Sequence, residues 1–269
     1  MPVTKNNNIN HSQQQVFFNQ ISDWIARHPP IMQPDGHTLA ALPFIAEQRT
    51  ISLPYSGNAR LGFWYQHLCL QHFQSHPDYH VVAEEIQLNQ NGRTIGAIDF
   101  ILEHIPSKTV EHWEVASKFY LLFDGLWYGP NSQDRLDLKL NHMLTHQLQM
   151  SQHPSFKAHH GKFNAPQFDH IKPKLLLQGR LYTNPFLAQT IPTTCLGHDI
   201  DASQINGHWC FYHQRDLIHE SLYVLKKGQW LTGKDRESEL LQQTNDQFVH
   251  CQSESGRFWF VLPDTWPHG

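Results

Sequence analysis

Two periods of hydrophobic and polar positions divide the chain. Val16, Phe17, Ile21, Trp24 and Ile25 recur at helical spacing over residues 16–28, and Pro29 and Pro30 end the run. Residues 31–57 are irregular and broken by prolines. Residues 59–76 predict a second amphipathic helix, closed by Pro77, with Leu61, Trp64, Tyr65, Leu68 and Phe73 on its buried side. The period then falls to two. Residues 79–88 read as a strand, and 89–93, with its Asn-Gly pair, as a hairpin turn. Residues 94–103 form a strongly apolar strand, and after a turn at Pro106 and Ser107 a third strand covers 110–121. Gly129-Pro130-Asn131 turns the chain into a long helix with Leu136, Leu140, Met143, Leu144 and Leu148 on its apolar face and Asn131 or Ser132 as cap. Residues 173–183, 207–213, 220–226 and 257–262 predict further strands. The class is α+β: a polar, disordered tail (1–15), an α/β core (16–155), a basic, His-rich linker (156–172) and a β-rich carboxy-terminal lobe (173–269).

Composition narrows the reading. The 269 residues include eight Trp and sixteen Phe, which need a core and exclude a disordered chain. No run of about 18 apolar residues and no signal-like leader occurs, so the expectation is a cytoplasmic protein without membrane association. Twenty basic against twenty-four acidic residues exclude a polycation for bulk nucleic acid, though not a local basic groove. Cys69, Cys195, Cys210 and Cys251 show no CxxC spacing and read as buried thiols. Oligomeric state is not fixed by any of these features.

One acid stands out. Asp99 lies inside the apolar run TIGAIDFILE, and strict alternation puts it on one face with Ile95, Ala97 and Ile101. An ionised carboxylate there costs several kcal/mol unless it is paired or binds a metal. On the next strand Val110, His112, Glu114, Ala116, Lys118 and Tyr120 share a face. If Asp99 meets them, an Asp, a Glu and a Lys converge. Two carboxylates and a backbone carbonyl suit Mg2+ or Mn2+, and a lysine beside them can assist an attacking water, which is phosphodiester-hydrolysing chemistry. A plain Glu114–Lys118 ion pair is the structural alternative.

The order helix, strand, Asp-bearing hairpin, Glu/Lys-bearing strand, helix resembles the core of the PD-(D/E)xK nuclease superfamily over about residues 59–150. GRTIGAIDFIL, HWEVASKFYL and GPNSQDRLDLKLNHMLTHQL are similar, more narrowly, to domain-of-unknown-function family 1853, a resemblance that runs over most of the chain. It implies a restriction-endonuclease-like core, with Asp99 and Glu114 as metal ligands and catalytic residues. The lysine departs from the pattern: Ala116 stands where xK expects it, and Lys118, the remaining catalytic candidate, lies two residues further on, its Cα about 13 Å from that of Glu114. The helix glutamate common in such folds corresponds to Gln66, so Glu85, or Glu84, is the expected third metal ligand.

The helix after the third strand carries Arg135, Lys139, His142 and His146 as a polar stripe, with Gln147 beside it, suited to phosphate oxygens. Lys157, Lys162, Lys172, Lys174 and Arg180, with His159, His160 and His170, form a basic run that could guide a strand. Nucleic-acid contacts are therefore expected from Arg135, Lys139, His146, Gln147, Lys172 and Lys174. The pairs His142/His146 and His72/His76 have zinc-compatible spacing, but 21 histidines make such pairs by chance and no HExxH occurs. The expectation is a Mg2+- or Mn2+-dependent nuclease acting on DNA or RNA. The alternative is a catalytically degenerate module of the same fold that binds nucleic acid or a protein partner.

Overall fold

In the computed structural model, which describes residues 11–46, 55, 57–159, 163, 166–242 and 247–268, α1 (His11–Arg27) starts earlier than the hydrophobic pattern indicates. Glutamine is a good helix former, so the polar run 11–15 extends the helix instead of ending before it. The rest of the expected tail, 1–10, lies outside the described residues, as do His160 and Lys162 of the basic run. α2 (Leu61–Ser75) follows, and then β1 (Tyr79–Gln90) and β2 (Arg93–His104). Their hairpin closes through Asn91 and Gly92, both at positive φ (51° and 75°), the pairing a tight turn between twisted strands requires. β3 (Thr109–Phe123) and β4 (Leu126–Tyr128) complete this part.

The predicted long helix breaks. α3 (Leu136–Thr145) ends where His146 leaves helical geometry at φ −122°, ψ −62°. A 3-10 segment (Gln147–Gln152) and α4 (Pro154–His159) follow. α3 begins after Arg135, and neither Asn131 nor Ser132 caps it; Ser132 sits in the left-handed region at φ 60°. The remaining elements are β5 (Lys172–Thr183), β6 (Thr194–Cys195), β7 (His198–Asp199), β8 (Ile205–Phe211), β9 (Leu222–Val224), α5 (Gln229–Thr232), β10 (Val249–Ser253) and β11 (Phe258–Leu262).

Together they make a mixed α+β architecture on one large sheet of order β1-β2-β3-β5-β8-β11-β10-β9, with β4 paired to β3. Pairings β3–β5, β5–β8 and β8–β11 are parallel, the others antiparallel. Residue 173 is not a break in this sheet. β5 bonds β3 along one edge and β8 along the other, so the strands of the expected carboxy-terminal lobe continue the amino-terminal sheet. Alternation along β3 assigns the two faces. Trp113, Val115, Phe119 and Leu121 pack with α1 and α2, while Tyr120 and Leu122 pack with Leu136, Leu140, Met143 and Leu148 beyond the other face. The free edge of β5 before Leu181 is covered by the segment 30–40, through bridges Pro30↔Gln178 and Leu39↔Leu175.

Close approach of β3 and β5 demands glycine at one position. Gly179 has φ 150°, and a Cβ there would lie 1.7 Å from the Lys118 carbonyl oxygen. Gly179→Ala is expected to destabilise the protein by roughly 3 kcal/mol or more, because the obstacle is backbone that cannot move aside. Urea denaturation checks this; a loss under about 1 kcal/mol contradicts it.

Candidate active site

The β2–β3 ladder runs from His104↔Thr109 to Phe100↔Trp113 and stops. Beyond that point β2 pairs with β1 and β3 pairs with β5, so the two strands part. Asp99 and Glu114 are the next residues in register and stand where the strands diverge. The β1 ladder also skips Asp99: Glu84↔Phe100 and Ile86↔Ile98 flank it, and the residue opposite, Glu85, takes φ 48°. Strict alternation fails here. Ile98 and Ile101 belong to one hydrophobic cluster and Phe100 to another. The irregularity frees Asp99 from the ladder.

Side chains replace the missing ladder bonds. The Val115 N–H donates to Asp99 Oδ2 at 3.0 Å, and the Asp99 N–H reaches Glu114 Oε1 at 3.3 Å. Glu114 is buried, at 1% exposure, and Asp99 is half-buried. Gln147 Nε2 donates to Glu114 Oε2 at 2.9 Å, and Lys139 Nζ donates to Gln147 Oε1 at 2.9 Å. His112 is fully buried between Ser151 Oγ (Nδ1, 3.0 Å) and Glu114 Oε1 (Nε2, 3.0 Å). Gln147 follows Met143 by four residues and Leu140 by seven, the spacing of the buried face of α3. His146 itself stacks on His142 at 4.9 Å, and its Nε2 lies 3.2 Å from the Ile95 carbonyl.

Burial dominates the electrostatics. It pushes Asp99 up to about 8, helped by the Glu114 charge and opposed by the Val115 N–H, His112 and Lys139. It pushes Glu114 up to about 7, eased by the Asp99 N–H and by Lys139. Burial also lowers His112 to about 4, so its contact with Glu114 is a hydrogen bond of a neutral imidazole, not an ion pair at neutral pH. Lys139 is lowered by burial and by Lys118, against the attraction of Asp134, Glu114 and Asp99. Two reluctant acids thus face one reluctant base.

The expected residues separate into groups. Asp99 and Glu114 come together. Lys118 shares the Glu114 face but turns away: its Nζ pairs with Asp134 Oδ2 at 2.7 Å, and Tyr120 OH donates to the same oxygen. Lys139, expected as a phosphate contact, stands in its place toward the acids. Glu85 is exposed, and its charge bears on Glu84, Tyr55 and His67. Neither acid hydrogen-bonds Gln66 among the described residues. The basic residues do not form one groove. Arg135 pairs with Asp137 (2.6 Å) and Lys157 with Asp169 (2.8 Å). Lys172 is exposed at the start of β5, and Lys174 donates to the His37 carbonyl at 2.7 Å. Arg180 points into the core at 4% exposure, held by Asn206 and the Trp230 carbonyl, with Phe258 3.5 Å from its guanidinium carbon.

No group of three or more His, Cys, Asp or Glu is arranged to hold a metal ion among the described residues. The oxygen set at the fork is smaller: two carboxylates and a carbonyl. A strand residue turns its N–H and C=O to the same edge, so the Val115 carbonyl faces the fork with the N–H that Asp99 binds. Hard divalent ions that keep several waters need no more protein ligands than this. His112, Ser151, Gln147 and Lys139 are the members whose role the sequence left unassigned or placed elsewhere. The signal for His112 was its position on the Glu114 face; for the others nothing local announces the contact.

No helix of the described residues is long and apolar enough to cross a membrane. Searches of curated proteins and of solved structures gave no match. A family model described as Domain of unknown function (DUF1853) matches residues 4–256, and the chain belongs to that family.

Proposed function

We propose that the chain has a restriction-endonuclease-like core and hydrolyses phosphodiester bonds of DNA or RNA at the fork between β2 and β3, with Mg2+ or Mn2+ held by Asp99, Glu114 and the Val115 carbonyl. The observation that carries this reading is the side-by-side placement of two acids where paired strands separate, with Lys139 the nearby cation directed toward them. A cation between the acids offsets the burial that raises both and the Glu114 charge that raises Asp99 further. The ion, when bound, supplies Lewis-acid polarisation of the phosphate and activation of water. The chain's own residues do the rest. Gln147 and His112 fix the Glu114 carboxylate, and the Val115 N–H fixes Asp99. Lys139, released from Gln147, has reach and charge to stabilise a phosphate oxygen.

One observation favours a second reading. Both Glu114 oxygens already accept protein donors, and Lys118 is tied to Asp134. A degenerate module that binds nucleic acid or a protein partner without metal needs nothing more. Calorimetry separates the two. Under the nuclease reading, Mg2+ or Mn2+ binds the wild type and fails to bind Asp99→Asn and Glu114→Gln. Absence of binding in the wild type at millimolar metal, with and without an oligonucleotide, overturns it and leaves the module.

A further inference from the structure

β3 carries a second buried acid that the fork does not use. Glu111 lies three residues before Glu114 on the opposite face, 6% exposed. Its Oε2 accepts the Trp113 indole N–H at 2.8 Å. Its other oxygen has no donor, and no cation lies within ion-pair distance, among the described residues. That oxygen is not among the sealed, unpartnered polar atoms of the described residues, so a donor from outside can reach it. Glu111 lines a cleft of about 300 Å³, the lower end of small-ligand sites. Tyr79, Trp113 and His104 form one wall, and Leu42, Pro34 and Pro43 belong to the apolar lining. Lys174 also lines the cleft. Its Nζ donates one proton to the His37 carbonyl, which leaves two for a ligand.

We propose that this cleft binds a guanine base. A flat ring suits aromatic and prolyl walls. Guanine offers two neighbouring N–H donors, at N1 and N2, for the free side of Glu111, and beside them the O6 acceptor for Lys174. Adenine, turned to present its N6–H to Glu111 and its N1 to Lys174, offers the carboxylate one donor where guanine offers two. A simple organic cation satisfies Glu111 but is repelled by Lys174, which decides for the base. Reading an unstacked base by its pairing edge between apolar walls requires a single-stranded or flipped nucleotide. The inference goes beyond the nuclease reading and does not need cleavage. If both hold, the enzyme prefers single strands that contain guanine.

The test is titration of guanosine 5′-monophosphate, adenosine 5′-monophosphate and arginine amide into the full chain, metal-free, followed by calorimetry. The guanine nucleotide binds, and the other two bind roughly tenfold more weakly or worse. Glu111→Gln and Lys174→Met each weaken guanine binding by a similar factor. Glu111→Gln keeps an acceptor for Trp113, and a melting curve matching the wild type certifies each variant. Equal binding of the two nucleotides, tighter binding of arginine amide, no guanine binding at millimolar concentration, or unchanged affinity in both folded variants each overturns the proposal. Cleavage without guanine binding removes the cleft and keeps the fork; guanine binding without cleavage does the reverse.

Discussion

Asp99→Asn is expected to lower Mg2+- or Mn2+-dependent cleavage of DNA or RNA by roughly 10²–10³-fold or more, with the fold retained. The substitution keeps the volume and an acceptor for the Val115 N–H, so the fork closes as before. What it removes, under the nuclease reading, is one of the two charges proposed to hold the ion. Two lysine variants then assign the cation. Lys139→Met is expected to cost cleavage roughly 10²-fold while metal binding survives, because Lys139 reaches Glu114 through Gln147 and not through the ion site itself. Lys118→Met is expected to change cleavage by less than about threefold, because its ammonium is spent on Asp134 and is one-third exposed, where charge is well screened. The measurement is initial cleavage rates on single- and double-stranded substrates, with calorimetry on each variant. Loss of cleavage in Lys118→Met, with Lys139→Met intact, reverses the assignment. Full activity in Asp99→Asn removes the fork as the site.

Much of this site is legible along β2 and β3 because a buried acid in an apolar strand is expensive and so conspicuous. Asp99 and Glu114 stand out as acids in apolar strands, and the short turn at 105–108 between β2 and β3 sets the register that brings them together. The rest depends on contacts between residues far apart in sequence. Lys139 has the helical spacing of an exposed polar stripe with Arg135, His142 and His146. Gln147 has the spacing of the apolar face, four residues after Met143 and seven after Leu140, and nothing local says that it meets Glu114. Lys118 shares a face with Glu114, as the pattern requires, but a face does not say which way a long flexible side chain turns. Asp134, on an irregular segment, decides that. Arg180 shows the opposite difficulty. Its charge suggests a surface groove, yet it sits in a central strand where Asn206, Trp230 and Phe258 accommodate it. β10 was unreadable because its sequence, VHCQS, has little apolar weight; pairing with β9 and β11 on both sides makes it a strand.

Stability of the metal-free protein is expected to peak between about pH 6 and 7 and to fall on both sides, for two different reasons. Burial lowers His28, His72 and His112 to about 4, and His250 further. As pH falls below their ordinary value near 6.5, the unfolded chain takes up protons that the folded chain refuses, and stability drops. Each of the first three contributes on the order of 3 kcal/mol at most over that range. Asp99 and Glu114 act the other way. Raised to about 8 and about 7, they keep protons in the fold that the unfolded chain gives up near pH 4. Their contribution is complete below the ordinary carboxylate range and is lost as pH rises through 7 and 8. From pH 4.5 to 6.5 four histidines outweigh two acids, so stability rises with pH. Above 6.5 the histidines are neutral in both states, and the acids alone set a downward slope. Under the nuclease reading Mg2+ or Mn2+ takes the place of those protons, so added metal is expected to flatten the alkaline limb and to raise stability more at pH 8 than at pH 6. Asp99→Asn flattens part of it without metal, since the Asp99 titration near 8 is gone and only the burial-raised Glu114 remains. Urea denaturation from pH 4.5 to 8, in chelator and in metal, reads all three curves. A wild-type curve in chelator that still climbs between pH 7 and 8 means that the acids are ionised in the fold without help, and it removes the electrostatic reason for a cation between them.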